Sequence, residues 1–136
     1  MKRRILFIED HEDTRELVSF VLEASDYCVT AEATVAAALR FAALEKFDLY
    51  LIDNWLPDGT GFELCERIRE FDPDTPVLFY SGAAFDSDKL RAIQAGAQAY
   101  LAKPCTFADL LRAVGVLITQ AKQRPTTLAE VHNLVA

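Results

Sequence analysis

Sulfur is scarce in this chain, and what there is does not pair. Cys28, Cys65 and Cys105 are odd in number, widely spaced and without a C-x-x-C. That pattern argues against a disulfide framework or a thiolate metal site and leaves three small apolar fillers, kept reduced. Long hydrophobic runs are missing as well. No stretch approaches a membrane span, and the apolar part of the N-terminal MKRRILFIED is too short for a secretion signal. A cytoplasmic chain without membrane contact is expected. Basic excess is also absent: 14 Lys and Arg stand against 21 Asp and Glu, a net charge of -7. This balance disfavours bulk attraction to nucleic acid or anionic membrane, so no direct nucleic-acid binding is expected. Nor does a glycine-rich phosphate loop follow the first apolar run, where the residues are HEDTRE. A flavin or nucleotide binder of the α/β class needs a glycine-rich or hydroxyl-rich loop there, and HEDTRE is neither.

What is present suits one globular domain: 136 residues, 51% hydrophobic and 26% charged. Its centre is DLYLIDNWLPDGTG, where the run Leu49-Tyr50-Leu51-Ile52 stops at Asp53 and a turn follows with Pro57, Asp58, Gly59 and Gly61. A short apolar run bounded by turn signals reads as a strand buried on both faces. Similar runs stand at Ile5-Leu6-Phe7-Ile8 and Val77-Leu78-Phe79-Tyr80, with weaker strands at about 28–33 and 99–102. Helical spacing separates them. Asp13 is a candidate cap for a first helix with Leu17, Val18, Val21 and Leu22. Thr34 caps an alanine-rich second helix running to about 44. A third helix is expected at 62–71, with Leu64, Ile68 and Phe71 on one face. A fourth carries Leu90 and Ile93, is capped by Asp86 or Ser87 and stops at Gly96. The fifth opens at Thr106 and bears Leu110, Val114, Leu117 and Ile118. Five β-α units in alternation predict an α/β fold, a parallel sheet with helices on both faces.

A parallel sheet puts the C-terminal ends of its strands on one edge, where ligands bind. Glu9 and Asp10, Asp53, Ser81 and Lys103 all stand at such ends. Carboxylates so gathered repel one another unless a cation joins them. An all-oxygen site with few carboxylates and room for water suits Mg2+ better than Ca2+. Lys103 adds positive charge and Ser81 a hydroxyl, so a phosphoryl group there is neutralised from several sides. Asp53, in the middle of the collection, is the natural acceptor. Singly, each residue reads as a helix cap or turn; their joint placement at four strand ends does not.

With these residues in view, the sequence resembles the receiver domains of two-component response regulators over about residues 3–121. Glu9-Asp10 resembles the acidic pair, Asp53 with Leu56-Pro57-Asp58 and Gly61 the acceptor and its loop, and Ser81-Gly82 the hydroxyl residue and its small neighbour. Ala95-Gly96-Ala97, Tyr100 and Lys103-Pro104 resemble the last strand region. The resemblance implies a flavodoxin-like (βα)5 three-layer sandwich with parallel strand order 2-1-3-4-5. It also implies Mg2+-dependent phosphorylation of Asp53 by a phosphohistidine of a sensor histidine kinase or phosphotransfer protein. Asp10, Asp53 and the backbone carbonyl of Trp55 would hold the cation, with Glu9 acting through water. Lys103, presented by a cis peptide before Pro104, would pair with the phosphoryl group. Ser81 and Tyr100 would form the switch that signals to a downstream protein target, as a monomer or a phosphorylation-dependent homodimer.

Some positions depart from the family pattern. Trp55, two after the acceptor, is large, and Ala83, two after Ser81, cannot orient a water, so a long-lived phosphate is expected. Ser81 keeps a threonine's hydroxyl without its methyl. His11 reads as a solvent-facing loop residue. A non-enzymatic signalling role is expected. A dehalogenase-type aspartyl-phosphate phosphatase would need an acidic residue where Trp55 stands. Residues 122–136 form a separate C-terminal extension. Lys122-Gln123-Arg124-Pro125 breaks the last helix. Thr127 and Glu130 then resemble a capping box, with Leu128, Val131, Leu134 and Val135 at helical spacing. This extension is open to three readings: an extra turn packed on the domain, a docking segment, or the start of a linker to an output domain missing here.

Overall fold

The computed structural model describes residues 2–82 and 85–123. Ala83 and the extension's capping box lie outside the described residues. The elements run β1 (Arg3–Ile8), α1 (Glu12–Ala24), β2 (Tyr27–Glu32), α2 (Val35–Leu44), β3 (Leu49–Ile52), β4 (Trp55–Leu56), β5 (Gly59–Thr60), α3 (Gly61–Arg69), β6 (Val77–Ser81), α4 (Asp86–Gln94), β7 (Ala99–Ala102) and α5 (Phe107–Lys122). Five strands form one parallel sheet in the order β2-β1-β3-β6-β7. Counting the parallel strands alone, this is the expected 2-1-3-4-5 flavodoxin-like order.

Strand alternation builds two cores from one sheet. Leu6, Ile8, Tyr50, Ile52, Val77 and Phe79 pack with α2, α3 and Ala92 of α4. Ile5, Phe7, Leu49, Leu51, Leu78 and Tyr80 face the other way, onto Val18 and Leu22 of α1 and Leu110, Val114, Leu117 and Ile118 of α5. Every residue of β3 is buried, which is why its sequence is a continuous apolar run rather than an alternating one. Burying each such side chain stabilises the fold by about 1.5–3 kcal/mol.

Threonine hydroxyls cap three helices: Thr34 accepts from Ala37 N, Thr60 from Glu63 N and Thr106 from Asp109 N, each at 3.0–3.1 Å. The expected cap of α1 at Asp13 is corrected. The helix begins earlier, and His11 Nδ1 accepts from Thr14 N at 3.4 Å. For α4 the N-cap is Phe85, and Asp88 accepts its N–H at 3.2 Å. Asp86 and Ser87 are already helical. Phe71 lies beyond the end of α3 and is half exposed, so it does not share the buried face of Leu64 and Ile68. Leu90 and Ile93 lie on α4 but face out, while Ala92 takes the buried place. The β4–β5 hairpin was not foreseen; two-residue strands are too short to show a period.

The registers align the strand ends that matter. Ile8 pairs with Ile52, Ile52 with Phe79, and Ser81 with Ala102. The residues that follow β1, β3, β6 and β7 therefore emerge together on one edge. Strand β1 lies between β2 and β3, so the winding reverses there and opens a crevice beyond the strand ends.

Candidate functional site

Glu9, Asp10 and Asp53 converge in that crevice, each offering a carboxylate oxygen within 4.8 Å of the others. Glu9 is 1% exposed and Asp53 8%, while Asp10 is open to solvent. Burial is the main cause that raises the pKa of Glu9; Asp53 adds to it, and Lys103 opposes it. Lys103 Nζ donates to Glu9 Oε1 at 2.5 Å and lies 4.8 Å above the Tyr80 ring. The ammonium is thus bonded to the most buried of the three carboxylates. The set is made of hard oxygen donors and carries excess negative charge, with its outer member in water. It fits a hydrated divalent cation such as Mg2+.

The acceptor loop is held from several directions. Asp53 N donates to Ile8 O at 3.0 Å, and Asp53 Oδ1 accepts from Asn54 N at 2.8 Å. Gly61 N donates to Asn54 O at 2.7 Å. A Cβ at Gly61 would lie 2.7 Å from Asp53 O and 2.9 Å from the Phe79 ring, so the approach of α3 to the loop requires glycine. Asp58, at the hairpin turn, accepts from Val35 N at 2.7 Å and Ala36 N at 3.0 Å. These two bonds hold its carboxyl below the usual range and pin the hairpin to the start of α2. Trp55 stands on that hairpin, paired with Thr60 and 59% exposed.

Ser81 ends β6, fully buried. Its carbonyl accepts from Lys103 N at 2.9 Å, which ties β7's exit to β6. Tyr100 is half-buried, and burial raises its pKa while a hydrogen bond with the Ser81 side chain lowers it. Its ring stacks on Phe79 at 5.7 Å, and Phe79 stacks on Phe62 at 5.5 Å. The Lys103–Pro104 peptide is cis, as the resemblance implied.

Glu9, Asp10, Asp53, Ser81 and Lys103 thus lie at this edge, with Trp55 on the adjoining hairpin and Tyr100 within β7. The structure adds Arg15, whose guanidinium donates to the carbonyls of Glu9 at 2.9 Å and Asp10 at 3.3 Å. Its place on the first turn of α1, facing back to the loop, was the available signal. Asn54 is also new: it is fully buried, and its side-chain amide has no partner among the described residues. His11, expected in a solvent-facing loop, is exposed but acts as the cap of α1.

The chain matches the family described as the response regulator receiver domain over residues 5–115. It is 35% identical over 106 residues to the KDP operon transcriptional regulatory protein KdpE of Escherichia coli, covering 78% of this chain and 47% of KdpE. To the DNA-binding transcriptional regulator NtrC of Rhizobium meliloti it is 30% identical over 126 residues, covering 93% of this chain and 26% of NtrC. The chain therefore spans about half the length, or less, of the curated relatives it matches. Among solved structures it is similar to a CheY-like receiver domain protein of Methanospirillum hungatei, with a TM-score of 0.87 and 29% identity over 90% of this chain and 98% of that one. The non-phosphorylated HemR receiver domain of Leptospira biflexa gives a TM-score of 0.81 and 34% identity over 86% and 94%. With the fold, the acidic crevice and these relatives in agreement, the chain belongs to the receiver domains of two-component response regulators.

Proposed function

We propose that this receiver takes a phosphoryl group onto Asp53 from a phosphohistidine of a sensor histidine kinase or phosphotransfer protein. The observation that carries this reading is the cluster itself: Glu9, Asp10 and Asp53 within 4.8 Å, with Lys103 bonded to the most buried of them. An Asp53 oxygen attacks phosphorus, and the P–N bond breaks. Its electron pair returns to the ring nitrogen; the imidazole leaves neutral when its other nitrogen carries a proton, and otherwise takes one from water. The carboxylates of Glu9, Asp10 and Asp53 and the backbone carbonyl of Trp55 would hold Mg2+, directly or through water. When bound, Mg2+ supplies positive charge that offsets the phosphoryl oxygens beside the carboxylates. Lys103 shifts from Glu9 to the phosphoryl oxygens and neutralises the charge that builds there.

Readout runs through Ser81 and Tyr100. The Ser81 hydroxyl exchanges its bond with Tyr100 for one to a phosphoryl oxygen, and Tyr100 settles further onto Phe79. The two arrangements differ by about a few kcal/mol, which one strong hydrogen bond can reverse. The output is contact with a downstream protein or with a second phosphorylated copy rather than catalysis of a further reaction. In this reading the chain works in the cytoplasm; among the described residues no helix is long and apolar enough to cross a membrane. Trp55 shields the acyl phosphate and slows its hydrolysis.

A second reading follows from coverage: the chain is the receiver part of a larger regulator, since it spans about half of KdpE. The phosphatase alternative is disfavoured by Trp55 at the position that chemistry needs for an acid. The test is incubation with acetyl phosphate and Mg2+ followed by intact-mass measurement. A phosphoryl adduct that disappears with chelator and in Asp53→Asn supports the proposal. An adduct that forms equally in both proteins refutes it.

A further inference from the structure

The edge opposite the acidic crevice carries an apolar feature that phosphoryl chemistry does not use. A groove of about 480 Å³ runs between the end of α2 and the turn after α3, lined by Ala42, Leu44, Phe47, Phe71, Pro73 and Thr75 among others. Leu44, 76% exposed, and Phe71, 48% exposed, present large apolar side chains there. A second groove of about 200 Å³ continues from it. The two share Phe47, Asp74 and Thr75, and the second is closed by Ile118, Ala121 and Lys122 of α5.

The groove therefore ends at the point where the chain leaves α5. Gln123 caps that helix, and the sequence places a helix-breaking residue type, Pro125, two residues later. The following sequence carries Leu128 and Val131 three apart, then Leu134 and Val135 three and four after Val131, the spacing of one apolar helix face. Lys122 itself lines the second groove together with Phe47, Asp74 and Thr75, the residues shared with the first. Charge agrees with the first part of this route: Lys122 lines the second groove beside Asp48 and Asp74, and Arg124 follows it in the sequence.

We propose that residues 127–135 of this chain dock as an amphipathic segment in the groove between α2 and the α3–β6 turn, covering Leu44 and Phe71. The contact lies on the edge away from Asp53, so it stands whether or not Asp53 is the phosphoacceptor. Its basis is the continuity of the groove with the chain's exit, the matching apolar spacing and the opposite charges at the exit.

The test uses the full 136-residue chain in dilute solution, isotope-labelled for nuclear Overhauser spectroscopy. Contacts are expected between the methyl groups of Leu128, Val131 and Leu134 and the rings of Phe47 and Phe71. Val131→Asp with Leu134→Asp, both outside the described domain, should abolish these contacts and shift the resonances of residues 42–47 and 71–75. Contacts within the Phe79–Tyr100 stack should remain. Leu44→Asp, at a side chain already in water, should release the segment in the same way. Segment methyls without any contact to the groove would overturn the proposal. So would contacts to another face, or contacts that join two molecules in a mixed-label sample and vanish on dilution; the last result would give the groove to a second copy.

Discussion

Removing the proposed acceptor should make the unliganded protein more stable. Asp53→Asn deletes one of three clustered charges and keeps an oxygen for the N–H of Asn54, which Asp53 accepts at 2.8 Å. The carboxylate oxygens of Glu9, Asp10 and Asp53 lie within 4.8 Å of one another. Two unit charges at that separation repel by about 3.5 kcal/mol at an effective dielectric near 20. Part of this is already offset by Lys103, bonded to Glu9, and by water around Asp10. A net gain of about 1–2 kcal/mol remains. Urea unfolding followed by circular dichroism, first in chelator, should place the variant's midpoint above that of wild type with an unchanged slope. Mg2+ at about ten times its dissociation constant should then raise wild type by about 1.4 kcal/mol and the variant by less. A variant less stable than wild type in chelator would refute the reasoning, because the carboxylates would then not be repelling one another across the crevice.

Other perturbations test the parts that hold the acceptor in place. Asp58→Ala should cost about 1 kcal/mol by uncapping α2 and freeing the hairpin. Because the folded pKa of Asp58 lies below 3.8, its contribution is full above that pH and is lost as pH falls through the folded value. Unfolding curves of wild type and variant should therefore converge in acid. Gly61→Ala puts a methyl 2.7 Å from Asp53 O and should cost about 1–3 kcal/mol in urea unfolding, with slower labelling by acetyl phosphate. Trp55→Asn should hasten loss of the phosphoryl group, followed by intact mass after donor removal; an unchanged rate would dismiss Trp55 as a shield. Trp55 is the only tryptophan, so its emission should change when Mg2+ is added; a flat titration counts against the cation site.

Much of the fold could be read because a parallel sheet writes itself plainly. In β1, β3 and β6 the stretches 5–8, 49–52 and 77–80 are covered on both faces, and each is an unbroken apolar run. Edge strand β2 has no fully buried residue, and its signal was correspondingly weak. The site was legible for a related reason: parallel strands with aligned registers must bring their C-terminal punctuation together. What stayed hidden was long-range or out of period. Asp58 caps a helix 23 residues earlier in the chain, and no spacing rule announces that. The resemblance gives Lys103 to a phosphoryl group, whereas the structure bonds it to the buried Glu9, 94 residues away in the chain. Asp13 is a common cap by type and histidine is not, yet the helix starts earlier and His11 takes the cap position. Phe71 kept the helical spacing but fell past the last turn of α3.

The most direct test of the central claim is chemical identification of the acceptor. The protein is phosphorylated with acetyl phosphate in Mg2+, reduced with borohydride, which converts an aspartyl phosphate to homoserine, and mapped by peptide mass spectrometry. The account predicts homoserine at position 53 alone and none in the chelator control. Conversion at Asp10 or Glu9 instead, or a phosphoryl group mapped to Ser81 or His11, would contradict it.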